Sequence, residues 1–274
     1  MRSKRRVMGL VFVLVAALSV RSVGHETWLA PAAFRTKSGV EMRLDLSSGM
    51  AYPALESAID PKRVAKAAFR LGGKVVALPE GSAAPHSLAL RATFPSDGLA
   101  TVWVELAPKA LELTDELVEE YFVDIAATAE VRAAWAKQRG KTTWRESYVK
   151  HAKSFVTVGE AAADDSWAEP IGAALELVPG SDPRSWRVGQ PLHVTLRWNG
   201  KPCPRQPVGL VIEGATEPKF VTTDDDGGAR FDPKRAGQAL LYTTLLRPAA
   251  DGVAWQSDFA TLTFAIEAAA KTGG

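Results

Sequence analysis

The stretch VEMRLDL, residues 40–46, alternates apolar and charged side chains without a break. A period of two puts the apolar side chains on one face of an extended chain, so the stretch predicts a half-buried β-strand. Residues 67–78 show a similar pattern on both sides of a glycine pair, and residues 87–93 and 100–106 flank the turn sequence PSDG at 95–98. We therefore expect a β-hairpin at each of these two places.

Residues 108–140 carry apolar side chains three or four positions apart, which predicts a pair of helices inserted into a β domain. Thr114 precedes two carboxylates and is placed to cap the first helix, because its hydroxyl can accept a hydrogen bond from a free backbone N–H. Residues 143–159 fit both periods. Their beginning resembles a capping box and their end a strand, so we expect a helix or turn that passes into a strand.

The domain organisation follows from composition and turn spacing. Residues 25–165 form the predicted N-terminal β-rich domain with the helical insertion, which ends in an Ala-rich acidic segment. Residues 166–267 contain about seven strand candidates separated by turns, a pattern typical of a small β-sandwich. Residues 268–274 are expected to form a flexible tail. The predicted fold class is mainly β.

Residues 1–24 have the three parts of a signal peptide: a basic start, an apolar run at residues 7–20 and a small-residue end. The apolar run is shorter than the ~20 residues that a membrane-spanning helix needs, so export is favoured over a membrane anchor. Cleavage after Gly24 would begin the mature protein at His25, whereas cleavage after Ser19 would leave that histidine internal. We expect a periplasmic or secreted protein with no membrane span after signal removal.

The charge balance argues against nucleic acid as a partner. Five of the 33 Lys and Arg residues precede His25 and none of the 31 Asp and Glu residues does, so removal of the signal peptide changes the formal net charge from +2 to −3. A slightly acidic protein has no general attraction for a phosphate backbone. Cys203 is the single cysteine, so stability must come from core burial rather than from a disulfide within the chain.

The stretch HETWLAP, residues 25–31, begins with a possible metal ligand. If cleavage falls just before His25, its α-amine and imidazole can chelate one ion together, which suits copper or nickel. His151, His86 and the carboxylate of Glu26 are the further candidate ligands, because they belong to the same predicted domain. Spacing alone favours an ordinary surface or core role for each lone histidine over a role as a metal ligand.

Other kinds of site are not indicated. Residues 224–228, DDDGG, do not fit a calcium loop because the twelfth position is Arg235 rather than glutamate, so they are predicted to form a hairpin turn. The cationic stretch KHAK, residues 150–153, is interpreted as a solvated polar face rather than an anion site. The sequence contains no nucleophile elbow, phosphate-binding glycine loop or Cys–His pair, so an enzyme is not predicted.

Three stretches considered together carry a family resemblance. They are HETWLAP at residues 25–31, YVKHAK at residues 148–153 and the region 177–202. Their combination resembles an exported family of unknown function whose members are often labelled nickel-uptake (NikM-like) proteins or cobalt-transport periplasmic components. The resemblance implies a β-rich exported protein whose C-terminal part is immunoglobulin-like or carboxypeptidase-regulatory-like, with a role involving Ni²⁺ or Co²⁺.

His25, Glu26 and Trp28 map directly onto the family motif, and His151 lies in the second stretch that carries the resemblance. The first function hypothesis is therefore an exported protein that binds a divalent transition metal, Ni²⁺ or Co²⁺ with Cu²⁺ as an alternative. It would pass the ion to a separate membrane uptake component. The second is a non-catalytic structural or adhesion module that binds a surface partner or a glycan. The third is a terminal-histidine copper oxidase that attacks polysaccharides, which requires a second histidine close to His25.

Overall fold

The computed structural model describes residues 25–160 and 164–270. Within these ranges the chain forms nineteen β-strands and two α-helices, which confirms the predicted mainly β fold class. The predicted signal peptide, residues 1–24, lies outside the described residues, and so does the end of the predicted tail, residues 271–274.

The strands are, in chain order, β1 (Glu26–Pro31), β2 (Arg35–Thr36), β3 (Glu41–Gly49), β4 (Ser57–Ala58), β5 (Val64–Leu71), β6 (Lys74–Ala77), β7 (Ser82–Ala83), β8 (Leu88–Thr93), β9 (Gly98–Leu106), β10 (Lys109–Leu113), β11 (Trp144–Val158), β12 (Leu175–Pro179), β13 (Leu192–Trp198), β14 (Lys201–Pro202), β15 (Pro207–Ile212), β16 (Lys219–Thr222), β17 (Gly228–Phe231), β18 (Gly237–Pro248) and β19 (Trp255–Ile266). The helices are α1 (Asp115–Asp124) and α2 (Ala129–Ala136).

The described strands form three sheets. A ten-stranded sheet has the order β16-β15-β18-β19-β11-β9-β5-β6, and β10 and β2 also pair with β11. A five-stranded sheet has the order β1-β3-β8-β7 with β4 beside β3, and a four-stranded sheet has the order β12-β13-β14 with β17 beside β13.

The ten-stranded sheet lies between the two smaller ones. Successive residues of a strand point to opposite faces, and β19 shows what covers each face. The hydroxyls of Thr261 and Thr263 donate to backbone carbonyls of β1 at 2.7 Å, while Leu262 and Phe264 pack with leucines of β12 and β13. We call these the β1 face and the β12 face.

The centre of the large sheet is the parallel pair β11 and β19, in which Lys150 is opposite Phe259 and His151 is opposite Ala260. β11 precedes and β19 follows the predicted division at residue 165. The hydrogen-bonded sheet therefore continues across that position, and the division into two domains stays a prediction.

The expectation of a helix or turn at the start of residues 143–159 is wrong. The segment is one continuous strand, β11, fifteen residues long. Its first half is fixed by antiparallel pairing with β10 on one side and parallel pairing with β19 on the other. These tertiary contacts override the local capping pattern of residues 143–146, because a central strand gains two ladders of hydrogen bonds.

The first predicted hairpin, β5 and β6, is confirmed. The second is wrong: β8 and β9 both exist, but β8 pairs in the five-stranded sheet and β9 in the ten-stranded sheet. Their apolar faces pack against each other instead, with Leu88 and Leu90 in one core cluster with Val102 and Val104. The PSDG turn therefore crosses between two packed sheets, which lie about 10 Å apart in such arrangements.

The predicted helical pair is confirmed as α1 and α2. Thr114 caps α1, since its hydroxyl accepts a hydrogen bond from the Leu117 N–H at 3.4 Å. The helices pack onto the β1 face through a cluster that includes Tyr121, Trp144 and Trp255. No helix of the described ranges is long and apolar enough to cross a lipid bilayer.

Residues 224–228 form a turn, as predicted, but not a hairpin. Asp224 Oδ1 accepts hydrogen bonds from the N–H groups of Asp226 and Gly228 at 3.0 and 2.7 Å. The strands on either side, β16 and β17, belong to different sheets. The carboxylate therefore stabilises a crossing between layers.

Candidate functional site

A pocket of about 250 Å³ lies between β1, β18 and the end of α1, and we call it the Glu26 pocket. Four aromatic side chains and two carboxyl groups contribute to its lining: Trp28, Tyr52, Phe220, Tyr242, Glu26 and Asp124. Small-molecule sites are commonly apolar clefts with a few polar groups, and this pocket has that composition, with a volume just below the usual range of about 300–1,000 Å³.

β1 places two of these side chains. Glu26 and Trp28 are two positions apart and therefore share one face of the strand. Pairing with β3 sets their register, with Glu26 opposite Gly49 and Trp28 opposite Ser47. The intervening Thr27 is tied to the paired strand β3 through its hydroxyl, which hydrogen-bonds to Ser48, and to the large sheet through its carbonyl, which accepts from Thr261. The start of β1 is thus held firmly where the pocket forms.

The carboxyl group of Glu26 lies in an apolar setting. The side chain is only 9% exposed, and Oε2 has no hydrogen-bond partner among the described residues. Burial raises the pKa of Glu26 to about 8; the positive charge of Lys150 opposes this shift and Asp124 adds to it. The ionised carboxylate is therefore costly unless a further positive charge comes close.

Lys150 reaches the same region from β11. Its Nζ donates a hydrogen bond to the His25 carbonyl and lies 5.0 Å from the ring centre of Phe259 and 5.5 Å from that of Tyr148. Burial lowers the pKa of Lys150, while the Glu26 carboxylate acts in the opposite direction. The ammonium group is thus held by a carbonyl and by aromatic faces rather than by water.

The aromatic side chains of the pocket form two edge-to-face pairs, Trp28 with Tyr52 and Phe220 with Tyr242, each with ring centres 5.6 Å apart. Trp28 Nε1 and the Tyr52 hydroxyl are buried and make no hydrogen bond within the part of the chain that the structure describes. Together with Glu26 Oε2, three polar atoms of the pocket residues have unused hydrogen-bonding capacity. Most buried polar groups in folded proteins are paired, so this concentration is unusual.

Residues 22–246 match the family described as "Domain of unknown function (DUF4198)". The chain belongs to the DUF4198 family. All six named pocket residues lie within the matched range, whereas β19 lies beyond it. The expected membership of a family of unknown function is therefore confirmed.

The DUF4198 chain is also similar to solved structures at low identity. They include the D0-D1 domain of intimin (11% identity, 86% of this chain and 96% of that chain, TM-score 0.23), the human OSCAR ligand-binding domain (11%, 89% and 100%, 0.22) and the mouse nectin-like molecule 4 ectodomain (10%, 92% and 66%, 0.22). No curated protein matches the sequence.

The four predicted metal ligands of this DUF4198 protein do not lie together in one site. His25 is half-buried at the start of β1, where burial, followed by the charge of Lys150, lowers its pKa while Glu56 acts in the opposite direction. His86 is exposed, and its Nδ1 lies 3.2 Å from the carbonyl oxygen of Glu56. The backbone carbonyl of Glu56 thus contacts His86, while the charge of its side chain acts on His25.

His151 lies on the other side of the large sheet from Glu26. It follows Lys150 directly in β11, so its side chain points to the β12 face. Its Nε2 is 3.6 Å from Asp258 Oδ1 and its Nδ1 is 3.9 Å from Glu105 Oε2. Residues 25–160 and 164–270 contain no group of three or more His, Cys, Asp or Glu side chains placed to hold a metal ion. Metal binding stays a prediction.

The interpretation of residues 150–153 as a solvated face is wrong. All four side chains are buried, and Lys153 Nζ donates to Glu176 Oε1 at 2.8 Å. The position of the stretch in a central strand explains the burial, because a central strand is covered on both faces. Sequence reasoning also missed Lys150, Tyr52, Asp124 and Tyr242 as neighbours of Glu26. The one available signal was the apolar surroundings of KHAK, in which two lysines need buried partners.

Proposed function

We propose that this DUF4198 protein is an exported, non-catalytic β-sheet module that binds a small organic ligand in the Glu26 pocket. The observation that carries the proposal is the presence of three unpaired buried polar atoms, on Glu26, Trp28 and Tyr52, around one largely apolar pocket. A buried polar group without a partner costs about 1–3 kcal/mol, and a ligand that supplies the missing hydrogen bonds would recover part of that cost.

The shape of the pocket supports the same conclusion. Met50 and Val123 are among the few large apolar side chains that are strongly exposed in the described residues, at 57% and 70%, and both line this pocket. Exposed apolar side chains beside a concave, aromatic surface are typical of a binding site. The proposal retains the sequence-based alternative of a non-catalytic binding module and gives it a specific site.

Binding of indole, followed by ligand-observed NMR, tests the proposal. Val211 lines the pocket and is half-buried, so Val211→Trp should fill the space and abolish binding. Val221 is equally half-buried on the neighbouring strand and is not among the pocket residues, so Val221→Trp is the matched control. Both variants are first checked for folding by thermal unfolding. Equal binding of indole to wild type and Val211→Trp would contradict the proposal.

A second candidate function is binding of a divalent transition metal, Ni²⁺ or Co²⁺ with Cu²⁺ as an alternative, for delivery to a membrane uptake component. The observation that favours it is that Glu56 is related to both histidines: its charge acts on His25, and its backbone carbonyl oxygen lies 3.2 Å from His86 Nδ1. A lowered pKa keeps the His25 imidazole neutral at pH 7, as a metal ligand must be. In a mature protein that begins at His25, the α-amine would lie beside this imidazole.

Calorimetry with nickel, cobalt and copper salts tests the second candidate on protein that begins at His25. His25→Ala should lose the binding, whereas His193→Ala, an exposed histidine on a different sheet, should keep it. Protein that retains one residue before His25 should bind more weakly, because its α-amine is no longer available. If neither His25→Ala nor the extra N-terminal residue changes the metal affinity, a metal site at His25 is excluded.

A further inference from the structure

We propose that the ligand of the Glu26 pocket is an organic ammonium ion with a small apolar body. This inference rests on the proposed function and specifies the chemical class of the ligand. It is carried by the charges and the rings of the pocket, together with the unpaired carboxyl oxygen of Glu26.

The charged groups of the pocket are of one sign. Glu26 from β1 and Asp124 from α1 both contribute carboxyl groups, and no Lys, Arg or His side chain lines the pocket within the described ranges. The Glu26 side chain is buried and the Asp124 side chain is partly buried, so both carboxyl groups lie in surroundings with little water. A cation that enters would stabilise the ionised form of both, whereas an anion would meet two acids.

The aromatic residues suit the same ligand. The faces of Trp and Tyr rings attract ammonium groups, and sets of such rings are the usual means of binding quaternary ammonium compounds. Here Trp28, Tyr52, Phe220 and Tyr242 line one space of about 250 Å³ that also contains the Glu26 carboxyl group. The aliphatic side chains Leu240 and Val211 complete the wall and would contact an apolar body.

Lys150 shows the same chemistry within the described structure. The ammonium of Lys150 lies over the rings of Phe259 and Tyr148 and donates to a backbone carbonyl, and its charge acts on Glu26. Lys150 does not line the pocket, and Glu26 Oε2 still has no partner among the described residues. The attraction of a second, external ammonium group to this carboxyl group would therefore be mainly one of charge, as for choline, which has no N–H to donate.

Choline and its neutral carbon isostere 3,3-dimethylbutan-1-ol are the probes that separate charge from shape. Calorimetry at pH 8.5 should show that choline binds at least about tenfold more tightly than the alcohol, a difference of about 1.4 kcal/mol. Glu26→Gln should remove this preference, measured as the ratio of the two affinities in the same variant. Asp124→Asn should reduce the preference and serves as the second variant if Glu26→Gln does not fold.

Glu112→Gln, an exposed carboxylate on β10, is the control and should bind both probes as wild type does. If the alcohol binds as tightly as choline and Val211→Trp abolishes both, the ammonium inference is overturned and the pocket proposal stands. If neither probe binds, the inference is also overturned, and indole binding then decides the pocket proposal separately. A preference for choline that survives in both acid variants would likewise overturn it.

Discussion

The ammonium group of Lys150 donates a hydrogen bond to the backbone carbonyl of His25. This contact joins the two stretches of sequence, residues 25–31 and 148–153, that carry the family resemblance. β1 lies across β11 and β19 at this point, and the Glu26 pocket begins beside the contact. Lys150 is therefore a structural support of the candidate site rather than part of a solvated surface.

Lys150→Met should destabilise the protein by about 1–3 kcal/mol, because the His25 carbonyl loses its donor. Urea unfolding measures the change, and hydrogen exchange should show faster exchange of the β1 amides in particular. Lys109→Met, an exposed lysine on β10, is the control and should stay within about 0.5 kcal/mol of wild type. Unchanged exchange in β1 would show that the contact does not hold the strand.

The buried pair of Lys153 and Glu176 should be far more important for stability than an exposed pair. Glu176 also accepts hydrogen bonds from the N–H groups of Ile171 and Gly172. Glu176→Gln should therefore cost about 3–5 kcal/mol, since it leaves a buried charge without its counterion. Glu267→Gln, which breaks the exposed pair with Arg35 at 3.1 Å, should cost less than about 1 kcal/mol. Similar losses for the two variants in urea unfolding would refute this ranking.

Glu146 should make stability depend on pH. It is buried beneath α1 and accepts hydrogen bonds from Tyr121, Trp144 and Ser257, yet burial raises its pKa above the ordinary value. The folded state then holds the proton more tightly than the unfolded state. Stability from this group is present below the unfolded-state pKa of about 4.3 and is lost as pH rises towards the folded-state value.

Glu146→Gln does not titrate, and it should cost about 1–3 kcal/mol at low pH through its poorer hydrogen bonding. The difference in free energy of unfolding between wild type and variant should shrink as pH rises from the unfolded-state pKa towards the folded-state pKa of Glu146. Urea unfolding at a series of pH values measures it. Glu112→Gln should show no such trend. A difference that widens with pH would mean that the three hydrogen bonds lower the pKa of Glu146 by more than burial raises it.

Gly227 should tolerate substitution less well than Gly39, although both have a φ of +76°. A Cβ at Gly227 would lie 2.5 Å from the Leu196 carbonyl oxygen, whereas a Cβ at Gly39 would have no atom within 4 Å. Gly39→Ala should cost about 1–2 kcal/mol from backbone strain alone. Gly227→Ala should lose about 2 kcal/mol more stability than Gly39→Ala, as measured by thermal unfolding. Equal losses of stability in the two variants would show that the turn at Gly227 can shift to make room for the Cβ.

Local patterns in the sequence predict much of the secondary structure. The alternation at residues 40–46 corresponds to β3, and Thr114 caps the helix expected after it. The pairing of β11 with β19 was not predicted, because parallel strands far apart in sequence carry no local turn signal. Residues 144–146 are strand because they pair with β10, and pairing with β19 begins at Glu146. The local sequence carries no signal for either pairing, which explains the wrong expectation there.

The candidate site was predictable only in part. Glu26 stands out in sequence because it follows a possible terminal histidine, but its partners come from separate regions. Tyr52 precedes β4, Asp124 ends α1 and Tyr242 lies within β18, and nothing in their local sequence indicates a shared pocket. Only the packing of β1 across the large sheet brings them together.

The most direct test of the central claim follows the indole N–H of Trp28 by two-dimensional NMR while indole or choline is added. Trp28→Phe identifies the signal. Trp103 Nε1, which is also buried without a partner in the described structure but lies on the β12 face, provides the internal control. We predict that the Trp28 signal shifts in a saturable way and that the Trp103 signal does not. Saturating ligand that leaves the Trp28 signal unchanged, or shifts both signals alike, would contradict a binding site in the Glu26 pocket.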